Sequence, residues 1–162
     1  AKDSIQGTSF VMAIPDQILL SERSATRQLL DACKNAKGIW NSMVKVPHNE
    51  MAFFQGSRPF KYKWENRSFC LIEDISTNET SSMRGFGRTV FLPEALEYMT
   101  EEFINHETGE VDFLKTYRAL KNQFPLYGFL LEGKPCDIGT WEGYYFYQKI
   151  ILQHFRSKEK IA

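Results

Sequence analysis

The stretch from Ser9 to Ile14, reading Ser-Phe-Val-Met-Ala-Ile, is almost continuously apolar and closes on Pro15-Asp16. A half-exposed strand alternates apolar and polar residues. A short unbroken run stopped by proline is instead the pattern of a strand covered on both faces, as in a sheet with helices above and below it. Asp16 then stands at the carboxyl end of that strand. The next segments agree with this architecture. Ser21 or Ser24 can cap a helix that carries Ala25, Leu29, Ala32, Cys33 and Ala36 at helical spacing and stops near Gly38. Ile39 to Val46 then reads as a second strand, ended by Pro47. Strand, helix, strand in this order predicts a βαβ unit with a right-handed crossover.

Further along, Glu50 to Asn66 mixes aromatic residues with Gly56, Pro59 and several lysines, and reads as a hairpin or a binding loop. Ser68 to Ile75 is strand-like, Ser76 to Met83 is a polar surface loop, and Arg84-Gly85-Phe86-Gly87-Arg88 reads as a tight turn before a short strand, Thr89 to Leu92. Pro93 suits the first position of a helix. Another helix, Glu110 to Gln123, is stopped by Pro125, and Leu126 to Leu131 follows as a strand. Gly133 to Gly139 forms a loop, and Thr140 can cap a last helix in which Tyr144, Tyr147, Ile151 and Phe155 recur every three or four residues. The whole predicts one domain, residues 1–162, of α/β class: a mixed, mainly parallel sheet with helices on both faces.

Twenty acidic and twenty basic residues balance, and 43% of residues are hydrophobic, so neither the basic field of a nucleic-acid binder nor a disordered acidic tail is indicated. No apolar run approaches the roughly 20 residues of a membrane span. Cys33, Cys70 and Cys136 are odd in number and widely spaced, which argues against a disulfide framework and against a zinc site. A reducing, cytoplasmic setting is expected.

Ligands of open α/β sheets bind beyond the carboxyl ends of the strands. Asp16 ends the first strand, and Asp137 lies between Gly133 and Gly139, which allow close approach of backbone to a ligand. If their strands are neighbours, the two carboxylates converge, a common way to hold Mg²⁺ against substrate phosphates. Aspartate after proline is also a frequent turn residue, and Asp137 can cap the region that follows; the residues alone leave these readings open. His48, His106 and His154 are isolated from one another, and no Gly-x-Ser-x-Gly elbow supports a hydrolase.

The segment Gly133-Lys134-Pro135-Cys136-Asp137-Ile138-Gly139-Thr140-Trp141-Glu142-Gly143-Tyr144 resembles the G-x-x-x-D-x-G-T-x-x-G-Y segment of the nucleotidyltransferases that make nucleotide sugars, such as glucose-1-phosphate uridylyl- and thymidylyltransferases. Two further stretches agree in order. Gly87-Arg88-Thr89-Val90-Phe91-Leu92-Pro93-Glu94 is similar to that family's G-R-Y-V-L-x-P-E, and Ala13-Ile14-Pro15-Asp16 to the strand ending in its metal-binding aspartate. The family's first strand leads into a glycine-rich loop with an arginine and a lysine, and nothing before residue 9 supplies one. The resemblance is therefore to the C-terminal portion.

This resemblance implies attack of a sugar 1-phosphate oxygen on the α-phosphorus of a nucleoside triphosphate, with Mg²⁺ held by Asp16 and Asp137. It implies substrate contacts at Glu73, the first member of the family's Glu-Lys pair, and at Gly56. Asp74 stands where the family has the lysine. The same resemblance also admits a non-catalytic sugar- or nucleotide-binding or assembly module of this fold. An exposed sheet edge would pair with another chain, so a homodimer is expected.

Overall fold

The computed structural model describes residues 5, 7–76, 81–100, 103–106, 109 and 113–159. Its strands are β1 (Phe10–Ala13), β2 (Gln17–Leu20), β3 (Ile39–Lys45), β4 (Phe60–Trp64), β5 (Phe69–Ile75), β6 (Met83–Phe91), β7 (Leu126–Leu130) and β8 (Lys134–Asp137). Its α-helices are α1 (Ala25–Ala32), α2 (Phe113–Lys121) and α3 (Trp141–Glu159), with 3₁₀ segments at His48–Phe54 and Pro93–Tyr98. Ser24 caps α1, its hydroxyl accepting from Arg27 N, and Thr140 does the same for α3 through Gly143 N at 3.0 Å. The expected start of the second helix at Glu110 and the centre of the loop after Ser76, residues 77–80, lie outside the described residues.

Six strands form one sheet in the order β1-β6-β3-β7-β5-β4, and β2 and β8 form a separate ribbon. β3 is the central strand, and its side chains alternate between two cores. Ile39 and Met43 join Phe91, Leu126 and Leu120 of α2 on one face. On the other, Trp40 packs with Leu29 and Ala32 of α1, and Val44 with Tyr147 of α3. The α/β class, the mixed sheet and helices on both faces thus agree with the sequence.

Several expectations are corrected. Among the described strands only β3 with β7 is a parallel pair; β1–β6, β3–β6, β4–β5 and β5–β7 are antiparallel, so the sheet is not mainly parallel. The cause is topological: β4–β5 is a hairpin, and β6 inserts between β1 and β3, antiparallel to both, which splits the expected βαβ unit. β1 accordingly lies at the sheet edge rather than inside it, half-buried. Residues 84–88 are not a turn but the middle of β6. Their glycines are where other segments of the chain cross: a methyl group at Gly85 would meet the Phe60 ring at 3.0 Å and one at Gly87 would meet Ile14 at 2.5 Å. Opposite them the register shifts between Asn41 and Ser42, and the Ser42 hydroxyl donates to Arg88 O at 2.8 Å across the bulge.

The loop expected at 133–139 contains β8, which finds backbone partners in β2, immediately after Asp16. Gln17 pairs with Asp137 and Leu20 with Lys134. This ribbon brings the two halves of the candidate site together. Gly133, at φ +142°, begins it in a conformation open to glycine, against Leu20 O and Ser21.

Candidate functional site

The ribbon sets Asp16 and Asp137 on either side of Gly139. A methyl group at Gly139 would stand 2.5 Å from Asp16 Oδ2 and 3.2 Å from Asp137 Oδ1, so both carboxylates converge on one point of backbone. Asp137 is buried, its Oδ1 accepting from Gly139 N at 3.1 Å and its Oδ2 from Gln17 Nε2 at 2.7 Å. Burial pushes its carboxyl above the usual carboxylate range, an effect that the Gln17 and Gly139 hydrogen bonds oppose and the Asp16 charge reinforces. Asp16 is held at the turn by Arg88, whose guanidinium donates to Ile14 O at 2.6 Å and to Gln17 O at 3.3 Å. One oxygen of Asp16, Oδ1, is buried without a hydrogen-bond partner.

An orphaned carboxylate oxygen beside a second carboxylate is an arrangement that a hard cation would satisfy. Among the described residues no group of three or more His, Cys, Asp or Glu side chains could cage a metal, so a cation here would keep several other ligands from water or phosphate.

Beside this pair lies a cavity of about 280 Å³ between β1, β3, β6 and the turn at Gly56-Ser57. Met12, Ile14, Phe60, Ile75 and Phe86 give it apolar walls. At its floor the Tyr117 hydroxyl donates to Asn41 Oδ1, which also accepts from Thr89 Oγ1 at 3.1 Å. Burial pushes the Tyr117 phenol to about 12, so it remains a neutral donor. Gln17 joins this cavity to the carboxylates: its Nε2 also donates to Ser57 Oγ at 2.7 Å, and its Oε1 accepts from Gly87 N.

Of the residues singled out from sequence, Asp16 and Asp137 are therefore brought together, and Gly56 lines the adjoining cavity. Glu73 is not. It projects from β5 with its carboxylate 3.5 Å from Lys61 Nζ, on a shallow cleft separate from the cavity. Next to it, Asp74 meets Lys121 Nζ at 3.3 Å, and that ammonium donates to Glu73 O at 3.1 Å. Helix α2 thus returns a cation to the place where Asp74 introduces an anion. Gln17 and Arg88 lie in or beside the quoted motifs, but nothing local in an amide or a guanidinium announces a bond to distant segments of the chain.

Cys33, Cys70 and Cys136 are free thiols, and no helix among the described residues is long and apolar enough to cross a membrane. No family model and no curated protein matches the sequence. Solved structures do match the fold. An apo UDP-glucose pyrophosphorylase is 17% identical with a TM-score of 0.75, over 99% of this chain and 58% of that one. A UTP-bound UGPase from Acinetobacter baumannii is 14% identical with a TM-score of 0.70, over 99% and 58%. A structure assigned as a glucose-1-phosphate thymidylyltransferase from Bacillus anthracis, in complex with sucrose, is 18% identical with a TM-score of 0.65, over 92% and 56%. The chain spans less than two thirds of the length of each. It has the fold of the sugar-nucleotide pyrophosphorylases, the family that its segments around Asp16, Gly87 and Asp137 resemble.

Proposed function

We propose that this chain forms the metal- and sugar-phosphate-binding part of a Mg²⁺-dependent nucleotidyltransferase that joins a nucleoside triphosphate to a sugar 1-phosphate in the cytoplasm. The observation that carries the reading is the convergence of Asp16 and Asp137 on Gly139, one of them with an unpartnered buried oxygen, beside a cavity walled at Gly56. In this reaction a phosphate oxygen of the sugar 1-phosphate forms a bond to the α-phosphorus, the bond from that phosphorus to the bridging oxygen breaks, and pyrophosphate leaves with the electron pair. Bound Mg²⁺ supplies neutralisation of charge on the phosphates. Asp16 and Asp137 would hold the cation, Gln17 fixes the Asp137 carboxylate in one orientation, and the turn at Gly56-Ser57 closes one wall of the cavity that would take the sugar. Such chemistry asks the protein for positioning and electrostatics rather than for a nucleophile.

Calorimetric titration with Mg²⁺ and a panel of nucleoside triphosphates and sugar 1-phosphates tests this. Binding that requires both metal and an intact Asp137, and is lost in Asp137→Ala, supports it. Metal-independent sugar or nucleotide binding that survives Asp137→Ala supports instead the non-catalytic binding module, a reading that Asp74 in the lysine position favours.

A further inference from the structure

The cavity between β1, β3 and β6 has a polar floor that the proposed reaction does not use. Asn41 of β3 and Thr89 of β6 are cross-strand partners, so their side chains share one face of the sheet, and Tyr117 reaches them from α2. On β3 the residues to either side on that face are Ile39 and Met43, both in the core. Asn41 and Thr89 are buried as well, at 2% and 4% exposure. Polar groups in such a place cost free energy unless bonded, and apolar side chains of similar shape would serve the fold as well.

The protons of this trio can be counted. Asn41 Nδ2 donates to Tyr127 O at 3.4 Å, which fixes the amide, since the flipped group would set two carbonyl oxygens against each other. Asn41 Oδ1 then accepts from the Tyr117 hydroxyl and, at 3.1 Å, from Thr89 Oγ1. Each hydroxyl has one proton, and both are spent on the amide oxygen. The two hydroxyl oxygens also stand 3.1 Å apart, with no proton left to lie between them. The floor therefore turns lone pairs to the cavity: it can accept a hydrogen bond, and can give one only by breaking a bond of its own. It is also neutral. Arg58 carries the only charge among the described lining residues, and it is exposed, while the buried Tyr117 phenol stays protonated.

We infer that Thr89 and Tyr117 together accept a hydrogen bond from one hydroxyl of the sugar, and so select sugar 1-phosphates that carry a hydroxyl at that position. This rests on the reading of the cavity as the sugar's place. A phosphate would meet lone pairs at the floor, so the charged end of the ligand belongs at the Gln17 side of the cavity, beside Asp137. A hydroxyl proton satisfies the two floor oxygens, a fluorine opposes them, and a methylene leaves them unpaired. Met12, Ile14, Phe60 and Phe86 offer apolar walls to the C–H faces of a pyranose. The volume, about 280 Å³, is just under the roughly 300–1,000 Å³ of drug-sized ligand sites and suits one such ring rather than a sugar and a nucleoside together.

Calorimetric titration of the chain with Mg²⁺ and glucose, galactose or mannose 1-phosphate is the test, repeated with derivatives in which one hydroxyl at a time is replaced by hydrogen or by fluorine. At one position both replacements are expected to weaken binding about tenfold or more. The fluoro compound reads the direction of the bond, because fluorine accepts and does not donate. Tyr117→Phe and Thr89→Val keep the side-chain shapes, and each, with unchanged circular dichroism, should cut that preference to about threefold or less while binding still requires Asp137. Asp137-dependent binding that tolerates every replacement, or a preference unchanged when Tyr117→Phe and Thr89→Val are combined, overturns this inference and leaves the proposed function standing. No Asp137-dependent binding of any of the three parent compounds overturns both. Loss of affinity for a nucleoside triphosphate in Tyr117→Phe, with the sugar preference intact, places the base in the cavity and overturns the inference.

Discussion

Gln17 Nε2 donates to Asp137 Oδ2 and to Ser57 Oγ, each at 2.7 Å, so one buried amide ties a candidate metal ligand to the wall of the adjoining cavity. A hydrogen bond to an ionised group contributes about 1.5–3 kcal/mol, and the donor lost here would leave a buried carboxylate underpaired. Gln17→Ala is therefore expected to lower stability by about 2–3 kcal/mol in urea unfolding and to weaken Mg²⁺ binding. Unaltered metal affinity in the folded variant would show that Asp137 holds its orientation without Gln17.

Burial, aided by Asp16, raises the Asp137 carboxyl above its ordinary value. The native chain then binds that proton more tightly than the unfolded chain does. By linkage, the contribution of this group to stability falls as pH rises from the ordinary carboxylate range through the raised value, and stays at its lower level above it. Mg²⁺ needs the ionised form, so its affinity should fall as pH drops through the same window, at a higher pH than a solvated aspartate would show. Unfolding of wild type and Asp137→Ala across mildly acidic pH checks the first statement, and Mg²⁺ titration across that range checks the second. Parallel stability curves for the two proteins would contradict it.

Much of this site was legible in the sequence because its signals are local. A proline after an apolar run places Asp16 at a strand end, glycines on both sides of Asp137 announce close backbone approach, and Ser24 and Thr140 are caps within three residues of what they cap. The rest depends on distant chain. Gln17 bonds residues 40, 70 and 120 positions away, a relation that no window of sequence contains. The glycines of β6 read as a turn because glycine is scarce inside strands, yet here Phe60 and Ile14 cross the strand and leave no room for a side chain. β1 reads as an inner strand because its residues are apolar, and periodicity reports which faces are covered, not whether an edge is paired.

Gly139 is the point on which both carboxylates close. Gly139→Ala would put a methyl group 2.5 Å from Asp16 Oδ2, inside any normal contact, and the carboxylates would have to move apart. The φ of Gly139 is not positive, so an alanine can adopt the backbone and the fold should survive with a loss of about 1–2 kcal/mol. Metal binding should fall by about tenfold or more, since a ~1 Å displacement is large for paired ligands. Calorimetry with Mg²⁺ would reveal it, and wild-type affinity in this variant would mean that the carboxylates do not act together.

Glu50 anchors the far side of the site. It is buried at 6% exposure on the 3₁₀ segment His48–Phe54, where Oε2 accepts from the Tyr147 hydroxyl at 2.6 Å and Oε1 from Lys134 Nζ at 2.9 Å. Tyr147 belongs to α3, Lys134 to β8, and the 3₁₀ segment leads directly to Gly56-Ser57, so this carboxylate joins α3 and the 3₁₀ segment to the strand that ends in Asp137. Burial and the Glu50 charge both hold the Tyr147 phenol protonated, which keeps it a donor. In Glu50→Ala the buried hydroxyl loses its acceptor and the half-buried ammonium its counter-charge, and a loss of about 2–4 kcal/mol is expected. Glu50→Gln retains an acceptor for Tyr147 and should recover about half of that loss, whereas Tyr147→Phe should cost less than Glu50→Ala because Lys134 still pairs with the carboxylate. Urea unfolding of the three variants orders them, and a Glu50→Ala protein as stable as wild type would show that the carboxylate does not hold these elements together.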